Sequence, residues 1–515
     1  MNKQLFLLLS LFLLPSFVGA ETFYAAPDGE KSATSCPKSE PCTLDRAMTL
    51  ADKGGDVVRL LDGIYSYVFR TKHSGSNKDP ITIEAVNRHL AVIRFNGLDN
   101  KSDIGGRGVQ IEHSNIVFRG IRLDCTSGEG TKGANAHDCI RVGAIDPNFK
   151  KELSPIKNIL IEDVWGHDVG HLMFGCYDAT DVELRHSQFD RSGIDDHQGE
   201  ANYFASAHNN RECHRLNHHH NIFSRYMANA IDMKSQTRDI DVHDNLFIDK
   251  LQHPSKKRGS GDGEFITGRH PNNRISGTKE AGNYVRDNIN IRTIHRDMFG
   301  ADDGHRCDYI GNVILDWKDD SKGGILRANK PEWNPSQAIS SNNIFCNAQV
   351  KVDIGVDRDG GQKPNLLNRP RSECLERIDE ILGVPRITSC EIGGVNDHTV
   401  IVNIQAEKNG PVSSVGDLKV VYDEVSQTEQ SVEQISDQQA RIVMVSPPAS
   451  RDVKVRVIAR PGSIQNSAYL GGKTCGNGNN VFKPKLNGNG ICGENKAEPP
   501  TLCTNKVKGE DGSGS

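Results

Sequence analysis

Short apolar runs follow polar turn residues at regular intervals along the middle of this chain. Segments 220–223 (HNIF) and 244–247 (DNLF) form the clearest pair, with equivalent positions 24 residues apart. The intervals from 163 to 187 and from 288 to 312 have the same length. A period in the twenties, with one short apolar run after each turn, predicts a solenoid in which each repeat forms one coil.

A second series of short strands accompanies these turns. Its members are Cys139–Val142, His171–Phe174, Asn202–Phe204, Ile231–Lys234, Glu264–Thr267 and Ile325–Arg327. Each coil is therefore predicted to contribute at least two strands that stack on those of its neighbours. The intervals from 187 to 221 and from 245 to 288 are longer and imply insertions. Insertions on one side of a solenoid commonly line its binding face.

The chain divides into five predicted segments. They are a secretory signal at 1–20, an N-terminal cap with the first coils at 21–100, the solenoid at 101–389, a β-sandwich-like domain at 390–465, and a tail rich in cysteine and glycine at 466–515. The signal combines a positive start, an apolar run and small residues at the cleavage site. Thr43 is placed to cap a helix that reaches Lys53, and a second helix is expected from Glu373 to Leu382. Alternating apolar and polar residues in the fourth segment predict antiparallel strands.

Composition and charge narrow the class of protein. Fifty glycines and an aromatic content of 6% fit a turn-rich β protein. The formal net charge of −5 gives no support for a general nucleic-acid or membrane binder, so an anionic ligand must meet a local basic patch. No segment after the signal approaches the roughly 20 apolar residues that a membrane span needs. We therefore expect an exported monomer without an anchor, either extracellular or periplasmic.

Thirteen cysteines in an exported chain favour disulfides over metal thiolates. The pairs that we expect are Cys36 with Cys42, Cys125 with Cys139, Cys346 with Cys374, and Cys475 with Cys492 or Cys503. Because the count is odd, at least one thiol is free or bonded to another chain.

Residues 54–65 (GGDVVRLLDGIY) and the coils from about 100 to 350 resemble the right-handed parallel β-helix proteins of the pectate-lyase-like superfamily. The resemblance covers roughly residues 22–370. It implies an all-β fold: a right-handed parallel β-helix with an N-terminal cap helix, followed by the small C-terminal β-sandwich predicted above.

A narrower resemblance concerns function. Segment 233–235 (MKS), followed one coil later by 267–270 (TGRH), is similar to the lysine and arginine strands of chondroitinase B and related alginate lyases. It implies that Lys234 is the catalytic base, that Arg269 assists from the next coil, and that Ca²⁺ neutralises the substrate carboxylate. The sequence departs from the family pattern, because Asn229 and Asp232 stand where the family has paired glutamates, and Gly268 interrupts the alternation.

The same residues suit β-elimination on chemical grounds. This reaction removes the proton beside a uronic-acid carboxylate and expels the glycosidic oxygen, so it needs a base and a cation beside the carboxylate. If Ile231 and Met233 point into the coil, Asp232 and Lys234 point outward together. Nearby positive charge would lower the pKa of Lys234 toward the value that a base requires. The planar fork of Arg269 suits a carboxylate. The alternative is an Asp232–Lys234 ion pair on the surface.

An acidic cluster could supply a metal site. Asp195, Asp196 and Glu200 lie in the inserted loop of a preceding coil, and together with Asp232 they offer the oxygen ligands that Ca²⁺ prefers. They could instead serve as the paired carboxylates of a glycoside hydrolase, or form a solvated turn.

The remaining candidate residues are histidines and the asparagines of the turns. As substrate contacts we nominate His220, His243, His270, Arg238 and Tyr203. The run 218–220 (HHH) resembles a metal tract, but successive residues on a strand face opposite sides and cannot all bind one ion. Most histidines are expected to be surface or stacking residues. The turn asparagines 221, 245, 288, 312 and 343 are assigned to the fold, because their amides can bond between coils.

The sequence therefore predicts an exported lyase that acts on an acidic, uronic-acid-containing polysaccharide. Two other classes remain open. One is a glycoside hydrolase or a uronate epimerase on the same scaffold. The other is a non-catalytic surface or matrix β-helix that binds glycans.

Overall fold

The computed structural model describes residues 19–66, 69–95, 107–126, 138–143, 155–193, 201–204, 213–233, 237–250, 266–268, 283–295, 299–301, 307–319, 326–327, 339–348, 365–382, 386–392, 399–405, 412–415, 418–422, 425–427, 429–436, 439–445, 455–459, 464–466, 485–486, 489–490, 501–502 and 504–505. The predicted signal at 1–20 lies almost wholly outside these residues. Among the described residues there is no helix that is both long and apolar enough to cross a membrane.

Three sheets of parallel strands run the length of the coiled region, and each complete coil contributes one strand to each sheet. Sheet A contains Thr22–Glu30, Val57–Leu60, Ile81–Ala85, Ile116–Arg119, Ile156–Glu162, Ala179–Arg185, Cys213–His219, Arg238–His243, Asn283–Arg286, Cys307–Ile310 and Ile339–Ser341. Sheet B contains Gly63–Ser66, Ala91–Arg94, Arg122–Asp124, Trp165–His167, Gln188–Asp190, Ile222–Ser224, Leu246–Ile248, Ile289–Ile291, Val313–Leu315, Ile344–Cys346 and Leu366–Arg369. Sheet C contains Phe69–Arg70, Arg107–Ile111, Asp138–Val142, Leu172–Cys176, Asn202–Phe204, Ile231–Met233, Ile266–Gly268, Phe299–Ala301 and Leu326–Arg327.

This architecture is a parallel β-helix with the right-handed sense that parallel crossovers take. The predicted series of short strands corresponds to sheet C. The apolar run after each turn asparagine is a strand of sheet B, so a coil has three strands. A further two-stranded pair, Ile294–His295 with Lys318–Asp319, lies beside the coils.

Inward side chains of successive coils stack into one continuous core. Phe223 lies between Phe189 and Phe247, with ring centroids 5.5 and 5.2 Å away and nearly parallel planes. Each of these rings is fully buried. Because neighbouring strands of a sheet lie about 4.8 Å apart, identical side chains at equivalent positions meet face to face. Phenylalanine therefore occupies the same inward position in three successive coils.

In the coils from Cys213–His219 to Ile339–Ser341, a two-residue corner joins sheet A to sheet B. Its first residue has a positive φ, as at His220 (56°) and Asp244 (52°). Its second residue is the turn asparagine, whose Oδ1 accepts hydrogen bonds from the backbone and side-chain amides of the preceding coil. Asn245 Oδ1 lies 3.0 Å from both Asn221 N and Asn221 Nδ2. The series continues in the same way through asparagines 288, 312, 343 and 365. These asparagines therefore belong to the fold, as predicted.

One helix precedes most of the coiled region in the chain and another follows it. The N-terminal helix Leu44–Leu50 begins at Thr43, whose Oγ1 accepts a hydrogen bond from Arg46 N at 3.4 Å. It ends before the predicted Lys53. The C-terminal helix Arg371–Leu382 starts two residues earlier than expected.

The C-terminal helix packs on the outer face of sheet B. From Ile222 to Cys346 two outward rows of that sheet are apolar, and they form a second buried cluster with Cys374, Ile378 and Ile381 of the helix. Arg377 Nη2 bonds Asp287 Oδ1 at 2.8 Å. The helix thus covers a strip of sheet B that would otherwise be exposed.

The strands that follow the helix pair in antiparallel fashion, apart from the parallel pair of Arg386–Ile392 with Thr504–Asn505. One sheet contains Glu429–Ser436, Gln439–Met444, Thr399–Gln405, Arg386–Ile392 and Thr504–Asn505, and the other contains Val425–Ser426, Leu418–Tyr422, Val455–Ala459 and Thr501–Leu502. Two short pairs accompany them, Val412–Val415 with Ile464–Asn466 and Lys485–Leu486 with Asn489–Gly490. The predicted boundary at 389/390 falls inside the first strand of this unit, Arg386–Ile392, which pairs with Thr399–Gln405.

Four disulfides are present among the described residues. Three were expected: Cys36–Cys42, Cys125–Cys139 and Cys346–Cys374. The fourth, Cys176–Cys213, joins the end of a sheet C strand to the start of a sheet A strand in the next coil. The two cysteines are 37 residues apart, so their pairing was not predicted from the sequence. Cys475 and its proposed partners lie outside the described residues.

Replacing Asn245 with alanine should weaken the β-helix strongly. The substitution removes the acceptor for Asn221 N and the donor to His218 O at 2.8 Å. Buried polar groups left without partners cost roughly 1–3 kcal/mol each, so we expect a loss of about 3 kcal/mol or more in urea unfolding. Asn87→Ala is the matched control. The Asn87 side chain is exposed, and its hydrogen bonds go to the exposed carboxylate of Asp62. Equal unfolding midpoints for the two variants would contradict the assignment.

Candidate functional site

The three corners of a coil differ in length. The corner between sheets A and B holds two residues, as at 220–221 and 244–245. Long connections instead enter and leave sheet C. They include 191–201 and 249–265 on the side of sheet B, and 205–212 and 269–282 on the side of sheet A. Both predicted insertions therefore border sheet C, and this sheet forms the floor of the candidate site.

One outward row crosses sheet C in continuous register. The row consists of Gln110, Arg141, Gly175, Tyr203, Asp232, Thr267, Gly300 and Arg327. Its direction follows from the alternation, since Ile231 and Met233 are fully buried in the core on either side of Asp232. The row therefore runs parallel to the long axis of the β-helix.

The side chains of Gln110, Arg141 and Asp232 in this row are buried. Relative exposures are 3% for Gln110, 5% for Arg141 and 1% for Asp232. Asp232 is therefore buried rather than exposed, and its pairing with Lys234 stays a prediction because Lys234 lies outside the described residues. Arg and Asp are almost never fully buried unless they are paired, so buried charges on an outward row are unusual.

Arg141 is held from two sides. Its guanidinium carbon lies 3.7 Å from the centre of the Tyr177 ring, and Nη1 lies 3.4 Å from Asp138 Oδ2. Glycine at 175 is needed here, because a Cβ at that position would meet the Tyr177 ring at 2.7 Å. Sequence reasoning did not single out Arg141 as a functional residue. The signal was available, because alternation within the predicted strand Cys139–Val142 turns Arg141 away from the core.

The nominated catalytic pair follows two neighbouring strands of sheet C. Met233 and Gly268 are register partners and end their strands, so Lys234 and Arg269 are the next residues along each strand. Lys234 and Arg269 themselves lie outside the described residues, as do Asp195, Asp196, Glu200 and His270.

Tyr203 is the register partner of Asp232. Arg238 begins a sheet A strand, paired with His214, and its side chain is not described.

His220 and His243 lie elsewhere on the coil. His243 is on sheet A, where Nε2 contacts Asn217 Oδ1 at 3.0 Å and its ring stacks on His219 at 5.0 Å. His220 occupies the corner before Asn221, with Nδ1 2.8 Å from His219 Nδ1. His218 points into the core and is fully buried, so the three successive histidines do not share one face. The structure does not bring these nominated contacts to the sheet C row.

The outward face of sheet A is a ladder of compensated charge. Glu84 bonds Arg59 at 2.8 Å and Arg119 at 2.6 Å, and Arg185 bonds Glu162 and Glu183, each at 2.8 Å. The stacked histidines continue this ladder, which leaves its cations paired with carboxylates. A polyanion would therefore gain little on this face.

A groove of about 340 Å³ lies over the start of these sheet A strands. It is lined by Asn158, Asp181, Glu183 and Arg215, among others. The hydrogen bond from Arg215 holds the pKa of Asp181 below its usual range, and that from His219 does the same for Glu183. Both groups are therefore ionised near neutral pH and unsuited to act as general acids.

Among the described residues, no group of three or more histidine, cysteine, aspartate or glutamate side chains is arranged to hold a metal ion. Asn229 and Asp232 belong to one turn and strand, and both are buried. Asn229 Oδ1 accepts no hydrogen bond from any described residue. Oxygen donors of this kind suit Ca²⁺ better than a transition metal.

Comparisons with known proteins reach the fold only. No family model matches the sequence, and no curated protein matches it at a significant level. Among solved structures, the chain is similar to an alginate lyase from a Paenibacillus species, with 16% identity over 67% of this chain and 98% of that chain and a TM-score of 0.46. It is also similar to a pectate lyase, with 14% identity, coverage of 68% and 80% and a TM-score of 0.45. A rhamnogalacturonan lyase matches with 13% identity, coverage of 68% and 85% and a TM-score of 0.44.

Glu183→Gln should flatten the dependence of stability on acid pH. Because the folded-state pKa of Glu183 is lowered, its contribution is present above the unfolded value near 4.3 and is lost as pH falls through the folded value. The side chain is one-third exposed, so the effect is below about 1 kcal/mol. Thermal unfolding midpoints between pH 3 and pH 7 test this, with exposed Glu40→Gln as control. A wild-type slope retained in Glu183→Gln would contradict the ion-pair ladder.

Proposed function

We propose that this protein is an exported polysaccharide lyase that cleaves an acidic, uronic-acid-containing polymer by β-elimination. The observation that carries the proposal is the register of sheet C. Met233 and Gly268 are register partners at the ends of neighbouring strands, so Lys234 and Arg269 are the next residues along the chain, each two residues after a member of the row that contains Asp232. Export is supported by the N-terminal signal pattern and by the four disulfides. The polymer is bound by a monomer.

The proposed reaction uses a base and a carboxylate clamp. Arg269 binds the uronate carboxylate with its planar fork and stabilises the charge that develops there. Lys234, as the neutral amine, takes the proton from the adjacent ring carbon. The electron pair of the broken C–H bond forms the new C–C double bond as the bond to the glycosidic oxygen breaks, and that oxygen takes a proton from water. The products are a new non-reducing end with an unsaturated uronate and a new reducing end.

Asp232 has a supporting role in this proposal. It orients the Lys234 ammonium between turnovers or ligates a cation, for which Asn229 offers a further oxygen and Asp195, Asp196 or Glu200 could complete the set. Bound Ca²⁺ would neutralise the substrate carboxylate and make the neighbouring carbon more acidic. His220 and His243 stand outside this mechanism, because they lie on sheet A and at its corner.

Lys234→Ala should lower the rate of cleavage by roughly 10²–10⁴-fold, the usual contribution of a general base. The assay incubates the protein with polyuronates and sulfated glycosaminoglycans and follows the ultraviolet absorbance of the new double bond. Lys157→Ala is the control, since Lys157 is exposed on sheet A.

The outcomes separate the rival functions. Reducing ends without absorbance indicate a hydrolase, and inversion of uronate stereochemistry without chain cleavage indicates an epimerase. Binding without any product indicates a glycan-binding protein. Full activity of Lys234→Ala would exclude this lysine as the base.

Removal of calcium provides a separate test of the metal. A chelator should lower the lyase rate, and added Ca²⁺ should restore it, whereas Asp232→Asn should need more Ca²⁺ for half-maximal rate. An unchanged rate in chelator would overturn the calcium proposal and leave the base and the clamp in place.

A further inference from the structure

Arg141 is a buried cation that the proposed chemistry does not use. It lies on the same outward row as Asp232, three strands nearer the N-terminus. At about 4.8 Å per strand this places its Cα about 14 Å from that of Asp232. A buried guanidinium is costly to keep unless it is well paired, so its surroundings indicate what it is for.

The guanidinium is oriented but incompletely paired. Stacking on Tyr177 fixes its plane, and the single resolved carboxylate contact, to Asp138, is 3.4 Å long. Arg141 Nε is buried and donates to no acceptor among the described residues. The edge of the guanidinium formed by Nε and one Nη can bind a carboxylate or a sulfate through two parallel hydrogen bonds.

A complementary atom lies on the neighbouring strand. Gln110 is the register partner of Arg141, and its Oε1 is buried and accepts no hydrogen bond from the described part of the chain. A buried acceptor without a donor costs free energy, as does a buried donor without an acceptor. One ligand that carries both an anionic group and a hydroxyl would satisfy the two atoms together.

We propose that Gln110 and Arg141 form a distal subsite for one acidic sugar unit of the polymer. The guanidinium binds the carboxylate or sulfate, and Gln110 Oε1 accepts a hydrogen bond from a ring hydroxyl. The inference rests on the proposed function, because it assumes that the polymer lies along the sheet C row and reacts near Asp232. It adds that tight binding requires an oligosaccharide long enough to span three strands.

The test compares substrates of defined length from the polymer that the wild type cleaves fastest. Arg141→Lys keeps the charge beside Asp138 but loses the fork, and Gln110→Met removes the acceptor at similar volume. For long oligosaccharides KM should rise roughly tenfold in either variant, as expected from the loss of a hydrogen bond to a charged group. For the shortest cleaved oligosaccharide KM and kcat should stay at wild-type values. Arg119→Lys, on the sheet A ladder, should change neither.

Two outcomes would overturn the proposal of a subsite. One is an unchanged length dependence of KM in both variants while the wild type is active. Another is a fall in kcat at every substrate length, which would indicate a general structural defect. Circular dichroism and the thermal midpoint verify folding of each variant.

If the wild type cleaves nothing, the proposed function fails by itself. Calorimetric titration with the same oligosaccharides then tests the subsite alone. Weaker binding of long oligosaccharides by Arg141→Lys supports it, and equal binding excludes it.

Discussion

Amide hydrogen bonds at the corner between sheets A and B hold successive coils in register. Each asparagine in this ladder serves two coils, since its oxygen accepts from the coil before and its nitrogen donates onward. A shift of one residue in any coil would turn its inward side chains outward. The ladder therefore also determines that Tyr203, Asp232 and Thr267 lie side by side on sheet C.

The sequence predicts those parts of the molecule that repeat. The asparagine spacing, the strands of sheet C and the Thr43 cap all depend on local patterns, and the structure has each of them. The Cys176–Cys213 bridge and the cover of the C-terminal helix over sheet B depend on contacts between distant segments. No local pattern encodes the distance between such segments, so they were missed.

Prediction of the site was limited for a related reason. Alternation turned Asp232 away from the core, but it does not tell whether an outward residue meets water. The burial of Asp232, which is 1% exposed, is known only from the structure. His220 and His243 were chosen by residue type, yet the register of the strands sends them to another face. The catalytic roles of Lys234 and Arg269 remain predictions, which rest on the positions of these residues in the sequence.

The unequal corners have a consequence for how this molecule can vary. In the coils that carry the asparagine ladder, the corner between sheets A and B has no freedom of length, because an added residue would displace an asparagine from its partners. At the other two corners the connections already differ widely from coil to coil, and the stack tolerates them. New lengths and new sequences can accumulate there without disturbing the scaffold. Relatives of this protein can therefore differ in these connections while their coils remain superimposable.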